Sequence, residues 1–240
     1  MDKSLEATNR TTTEKIEEIL RSLQEYIIEG GIKSGTEMPT EKELAKRLGV
    51  SRFILREALR VAQFQGLIEI SRGSRTKVAE VSVKPAVDVM SILLRRSANV
   101  LIDLSEARES MECSIVELAA LRADSGIIHQ MQKTIREFEA HQNDIEVCIE
   151  KDIDFHNLIV KASKNAVFEI IMSPIIELLR QSKGETLRTF GPETAMKEHR
   201  AILEAIMERN PDKAKSCMKE HIRTAKKQLI AISFPDKNVL

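Results

Sequence analysis

The sequence predicts a mainly α-helical chain in two parts: a small N-terminal unit of three helices and a β-hairpin, followed by an all-helical bundle. Three observations carry this reading. Aromatic residues make up only 3% of the 240 positions and Trp is absent, where a β-sandwich or barrel would use more. Nine glycines and six prolines leave few turn residues for many short strands. Apolar residues recur at three- and four-residue intervals along most of the chain.

Taking the elements in order, Ile16, Ile19, Leu20, Leu23 and Ile27 form one face of a helix over about 13–29, which Gly30 and Gly31 stop. Thr40 and Glu43 have the spacing of a capping box and open a short helix bearing Leu44, Ala45 and Leu48. Ser51 caps a third helix to about Gln65, with Leu55, Ala58, Leu59 and Ala62 inward. Two β-prone runs, 67–70 and 76–79, flank the turn Ser71-Arg72-Gly73-Ser74 and make a hairpin. Residues 1–80 are therefore expected to be one domain, 81–85 a linker, and 86–240 a second, all-helical domain. The helices expected there lie near 86–95, 101–124, 127–142, 145–163, 166–188, 193–209 and 211–231, with Asn165 and Asn210-Pro211 as start signals.

Charge and cysteine usage narrow the function. Lys and Arg number 37 against 37 Asp and Glu, so a nucleic-acid site must be a local patch. Residues 40–78 supply one: nine Lys/Arg against four Glu, a local excess of five positive charges. Cys113, Cys148 and Cys217 are far apart and form no C-x-x-C, which argues against a disulfide framework or a Cys-based zinc site and for a reducing compartment. The N-terminus lacks an apolar leader, and no apolar run is long enough to cross a bilayer. A soluble cytoplasmic protein without a membrane partner is expected.

The second and third helices, joined by Leu48-Gly49-Val50-Ser51, form a helix-turn-helix pattern whose second helix is placed to enter a major groove. Arg52, Arg56, Arg60 and Gln63 share its outer face. A charged helix face is as often simply solvated; the glycine turn of the hairpin and the turn between the helices favour DNA. The stretch from Ile27 to Val78, with EMPTEKELAKRLGVSRFILREAL and GLIEISRGS, resembles the winged helix-turn-helix of GntR-family transcription regulators over about 50 residues. The resemblance implies that Arg52 and Arg56 read or grip the groove, that Lys42 contacts phosphate or a base, that Ser51 bonds a phosphate, and that Arg72 and Gly73 at the wing tip reach the minor groove. Two positions depart from the family: Lys42 stands where Arg is common, and Phe53 where smaller or polar residues are usual.

Three histidines of the helical part face inward by spacing. His156 lies among Ile149, Ile153, Ile159 and Val160, His199 among Met196, Ile202, Leu203 and Ile206, and His221 among Cys217, Met218, Ala225 and Leu229. Asp152 is one turn before His156. Spacing alone leaves two readings: hydrogen-bonded core histidines, or a site for a divalent ion. Residues 86–232 also resemble the FCD ligand-binding domain of the FadR-type branch of the GntR family. Metal-binding members carry D-x-x-x-H, then E-H, then a final H, here Asp152 to His156, Glu198-His199 and His221. The resemblance implies a metal site at Asp152, His156, His199 and His221, with zinc placed first and manganese, nickel or iron as other occupants. Arg108 leans inward with Glu112 as its i+4 neighbour, either as a pair or as a binding site for an effector carboxylate. The expected protein is thus a homodimeric, non-enzymatic regulator that binds a palindromic double-stranded operator and answers to a small organic or sugar acid. The alternative is a metal-dependent hydrolase or isomerase with an accessory nucleic-acid module. Against it, there is no H-E-x-x-H, G-x-S-x-G or P-loop.

Overall fold

The computed structural model describes residues 11–71, 75–94 and 100–233, which fall into two compact units divided between Pro85 and Ala86. In the first, α1 (Thr12–Gln24) starts one residue earlier than periodicity suggests. Thr11 and Glu14 form a capping box there, with the Thr11 amide 2.7 Å from the Glu14 carboxylate. The helix continues through a π-helical turn, Glu25–Glu29, closed by the bond from the Ile32 amide to the Ile27 carbonyl at 3.0 Å. The expected capping box of α2 (Glu41–Leu48) is present: the Thr40 amide donates to Glu43 at 2.9 Å, and the Glu43 amide to Thr40 Oγ1 at 3.3 Å. Gly49 ends α2 at φ 64°, a left-handed conformation that costs glycine little.

Ser51 caps α3 (Arg52–Phe64), accepting from the Ile54 amide at 3.3 Å. Strands β1 (Ile68–Glu69) and β2 (Lys77–Val78) pair antiparallel in the register Ile68 with Val78 and Glu69 with Lys77. Ile19, Leu23, Met38, Leu55, Leu59, Ala62 and Ile68 form the core that α1, α3 and the hairpin share. That core leaves the outer faces of α2 and α3 to solvent.

The second unit is all-helical: α4 (Lys84–Leu94), α5 (Val100–Arg122), α6 (Ser125–Ala140), α7 (Ile145–Ala162), α8 (Ala166–Leu178), α9 (Arg180–Phe190), α10 (Glu193–Met207) and α11 (Pro211–Ser233). The segment expected as one helix over 166–188 is two. Leu179, at φ −87° and ψ −2°, tightens the chain into an i→i−3 turn, its amide 3.3 Å from the Ile176 carbonyl, before α9 begins. A one-residue turn of this kind leaves the apolar spacing almost in phase, which is why periodicity does not register it. Gly184 lets α9 lie close to α7, since an added Cβ would be 3.0 Å from Ile149 Cδ1. Helices α5, α7, α10 and α11 surround a core that includes Ile115, Phe138, Phe155, Met172, Ile202 and Met218. Among the described residues no helix is long and apolar enough to cross a membrane.

Candidate nucleic-acid face and metal centre

On the N-terminal unit, Lys42, Ser51, Arg52 and Arg56 are all exposed, on α2 and the N-terminal half of α3. Ser51 uses its oxygen as the cap of α3. Arg56 is engaged through Nε by Glu41 of α2 at 2.8 Å, a contact that ties its guanidinium to the start of α2. Arg60 pairs with Glu57 at 2.6 Å, so it is less available than its spacing suggests. Arg72 and Gly73 lie outside the described residues.

In the helical unit, the buried face of α7 carries Asp152 and His156, α10 supplies His199, and α11 supplies His221. Exposure is 4% or less at all four, and one ligand atom from each lies within 4.8 Å of the others. The structure therefore brings together the four residues that the sequence pattern groups.

The hydrogen bonds around them define which nitrogen each ring presents. His156 Nδ1 is 2.6 Å from Glu112 Oε2, and His221 Nδ1 is 2.8 Å from Glu198 Oε2. A carboxylate accepts only, so each neutral ring donates its proton at Nδ1 and keeps a lone pair on Nε2. Those two Nε2 atoms face each other at 3.1 Å. That distance suits a hydrogen bond through one shared proton, or two lone pairs drawn together by a metal ion. Burial pushes the His156 imidazole down to about 4, so it is neutral near pH 7. His199 is pushed well below its ordinary value by burial and then by His221.

His199 gives the sharper indication. Both its ring nitrogens are buried without a hydrogen-bond partner, its ring stacked on Phe155 at 4.4 Å and its Nε2 3.5 Å from Asp152 Oδ1. An unsatisfied buried polar atom costs about 1–3 kcal/mol. These donor atoms fit a divalent ion: neutral imidazoles and a carboxylate as ligands, backed by carboxylates on the outer nitrogens.

Arg108 and Glu112 pair, as one reading of their spacing expects, Nε to Oε1 at 2.6 Å and both buried. Arg108 nonetheless keeps Nη2 without a partner. The arginine and His156 together hold the Glu112 carboxyl well below the usual range, although burial opposes them. Lys183 on α9 is absent from the sequence reading. It forms a partly buried ion pair with Asp152 and, against the effect of burial, holds that carboxyl low. Burial pushes the Lys183 ammonium down in turn. Glu198, noted in sequence only as part of E-H, proves to be the partner of His221.

Arg108, Lys183, Asp152, Glu198 and His221 line a cavity of about 50 Å³ whose wall also carries Ser105, Thr186, Thr194 and Gln228. Asp154 is bound to Lys151 at 3.0 Å and half-exposed, away from this cluster.

Comparison with known proteins agrees with both halves. Residues 15–78 match the family described as bacterial regulatory proteins, gntR family, and residues 103–224 match the FCD domain. The chain is 27% identical to the Glc operon transcriptional activator of Escherichia coli (strain K12), covering 93% of this chain and 92% of that one. It is 26% identical to the HTH-type transcriptional repressor NanR of Klebsiella aerogenes, covering 88% and 83%. Among solved structures, a Streptococcus agalactiae GntR protein matches with a TM-score of 0.70 and 26% identity, over 88% of this chain and 99% of that one.

Proposed function

Because the chain belongs to the GntR family of bacterial regulators, with a C-terminal FCD domain, we propose how this transcriptional regulator is controlled: a small monocarboxylate held at a divalent ion in the helical unit sets its affinity for operator DNA. The observation that carries the proposal is the donor set at Asp152, His156, His199 and His221, with one ligand atom from each within 4.8 Å of the others and a His199 ring that has no hydrogen-bond partner. When bound, a divalent ion there supplies Lewis acidity and a coordination position for an anionic oxygen, zinc first and manganese, nickel or iron as other occupants. Glu112 and Glu198 orient the His156 and His221 rings.

Charge supports a monoanion. Asp152, Glu112 and Glu198 against Arg108 and Lys183 leave one net negative charge at the site. A divalent ion reverses it to one positive, and a single carboxylate cancels that. Arg108 keeps Nη2, the nitrogen beside the Nε that bonds Glu112, free to meet the acid. The cavity of about 50 Å³ beside Arg108 and Lys183 is the place for a small organic or sugar acid.

On the DNA side, the chain binds as a cytoplasmic homodimer to a palindrome. Its two α3 helices enter major grooves about one helical turn, ~34 Å, apart. Arg52 and Arg56 meet bases or phosphates, Lys42 and Ser51 the backbone, and Arg72 and Gly73 the minor groove. The domain division at 1–80, 81–85 and 86–240 belongs to this proposal, with the helical part carrying dimer contacts. The hydrolase reading is not favoured, because the matched families are regulators and Asp154 is tied to Lys151.

Elemental analysis of untagged protein, purified without added metal and then titrated with zinc, tests the site. We expect saturation near one ion per chain for wild type and a large loss for His199→Ala. Equal metal content in the two proteins would contradict the assignment.

A further inference from the structure

Phe53 is 69% exposed in the first turn of α3. Single exposed apolar side chains are common and by themselves mean little; the placement of this one is specific. At 3.6 residues per turn it lies roughly opposite the buried stripe of Leu55, Ala58, Leu59 and Ala62, on the outermost line of the helix. It also sits at the N-terminal end, the end of a recognition helix that reaches base edges. Phe64 shares the same line and is 64% exposed, but stands ~16 Å further along, at the trailing end.

The neighbours of Phe53 decide what can cover it. Arg52 precedes it, Arg56 and Arg60 follow it on the same exposed arc, and all three are exposed. An apolar protein surface laid over the ring would strip water from the N–H groups of these arginines that the single bonds from Arg56 to Glu41 and from Arg60 to Glu57 leave over. A DNA major groove satisfies both kinds of group: phosphates and guanine edges for the arginines, and the C5-methyl of thymine for the ring.

We propose that Phe53 is a specificity-determining residue of this regulator, packing its ring on a thymine C5-methyl in the major groove and so selecting T at one or two positions of each half-site. The proposal rests on the DNA-binding role of the N-terminal unit and adds to it a read-out that the arginines cannot supply, since an arginine fork recognises guanine and is indifferent to a methyl group. Truncation of the ring removes that read-out while leaving the phosphate contacts and the fold in place, because the side chain contributes little to the core.

The test begins with selection of random duplexes on full-length wild-type protein and on Phe53→Ala. Each thymine of the wild-type motif is then replaced singly by deoxyuridine, which removes only the methyl group. We expect one or two of these replacements to weaken wild-type binding about fourfold each, the worth of one buried methyl. The same replacements should leave Phe53→Ala within twofold of its own affinity for the unmodified site. The Phe53→Ala motif should lose its preference for T there and keep its remaining positions. Equal sensitivity of both proteins to methyl removal, or the same motif from both, overturns the proposal and leaves the DNA-binding role standing. Failure of the wild-type protein to enrich any motif overturns both.

Discussion

His199 is the residue on which the site turns, because its fully buried imidazole has no hydrogen-bond partner and a metal ion would bond its lone-pair nitrogen. The sequence made it visible: one polar residue on an otherwise apolar helix face, repeated on three helices, is a pattern that spacing detects. Lys183 and Glu198 were not visible in the same way, since a charged residue on an amphipathic helix ordinarily faces water. Their roles depend on helices distant in sequence coming together. Glu112 links the two sets, bonded both to Arg108 and to His156. Glu112→Gln should lower zinc affinity about 10- to 100-fold, the usual effect of removing a carboxylate behind a histidine ligand; competition with a chromophoric chelator reads this out.

The burial of His156 also has a pH signature. Its folded value of about 4 lies below the ordinary 6.5, so the unfolded chain binds the proton more readily between those values. Metal-free protein should therefore lose stability as pH falls from about 6.5 to about 4, by on the order of 3 kcal/mol, and be level in this respect above 6.5. Denaturant melts across that range, for wild type and for His156→Gln, check the sign. Because His199 is lowered as well, the variant keeps part of this slope; a wild-type slope no steeper than that of the variant would show that the His156 imidazole is not held neutral.

At the scale of elements, the ends of helices were the most legible features. Thr40, Glu43, Ser51, Gly49 and Asn165 all do what their side chains predict, because capping is local chemistry between residues three or four apart. Thr40→Ala should cost about 1 kcal/mol in urea unfolding of the N-terminal unit, the ordinary worth of an N-cap. Interruptions inside a helix were less legible. The turn at Leu179 changes the phase of the chain too little to disturb the apolar spacing, yet it frees α9 to run beside α7. That approach, with Gly184 at its closest point, is what delivers Lys183 to Asp152. The fold of the small unit came through more completely, since its three helices and hairpin follow one another with short connections and share a single core.

At the scale of the whole molecule, the contrast between a hairpin-bearing unit with a local excess of basic residues and a glycine-poor helical one was plain in composition and periodicity. The direction of regulation is a different kind of property: one relative is named an activator and another a repressor, so family membership does not set it. Under the proposed control by an acid, linkage makes the effect reciprocal: whatever factor the acid imposes on DNA affinity, DNA imposes on the acid. Control of operator binding from the helical unit is open to direct test. The most direct measurement is a titration of selected operator DNA with zinc-loaded protein, with and without L-lactate or glycolate as probe acids, on wild type and His199→Ala. At least one acid should shift the wild-type Kd by about 5-fold or more, the common range of allosteric coupling. His199→Ala should start from the same Kd and show no shift. An undiminished shift in His199→Ala, or none with either acid in fully metallated wild type, would contradict control from this site.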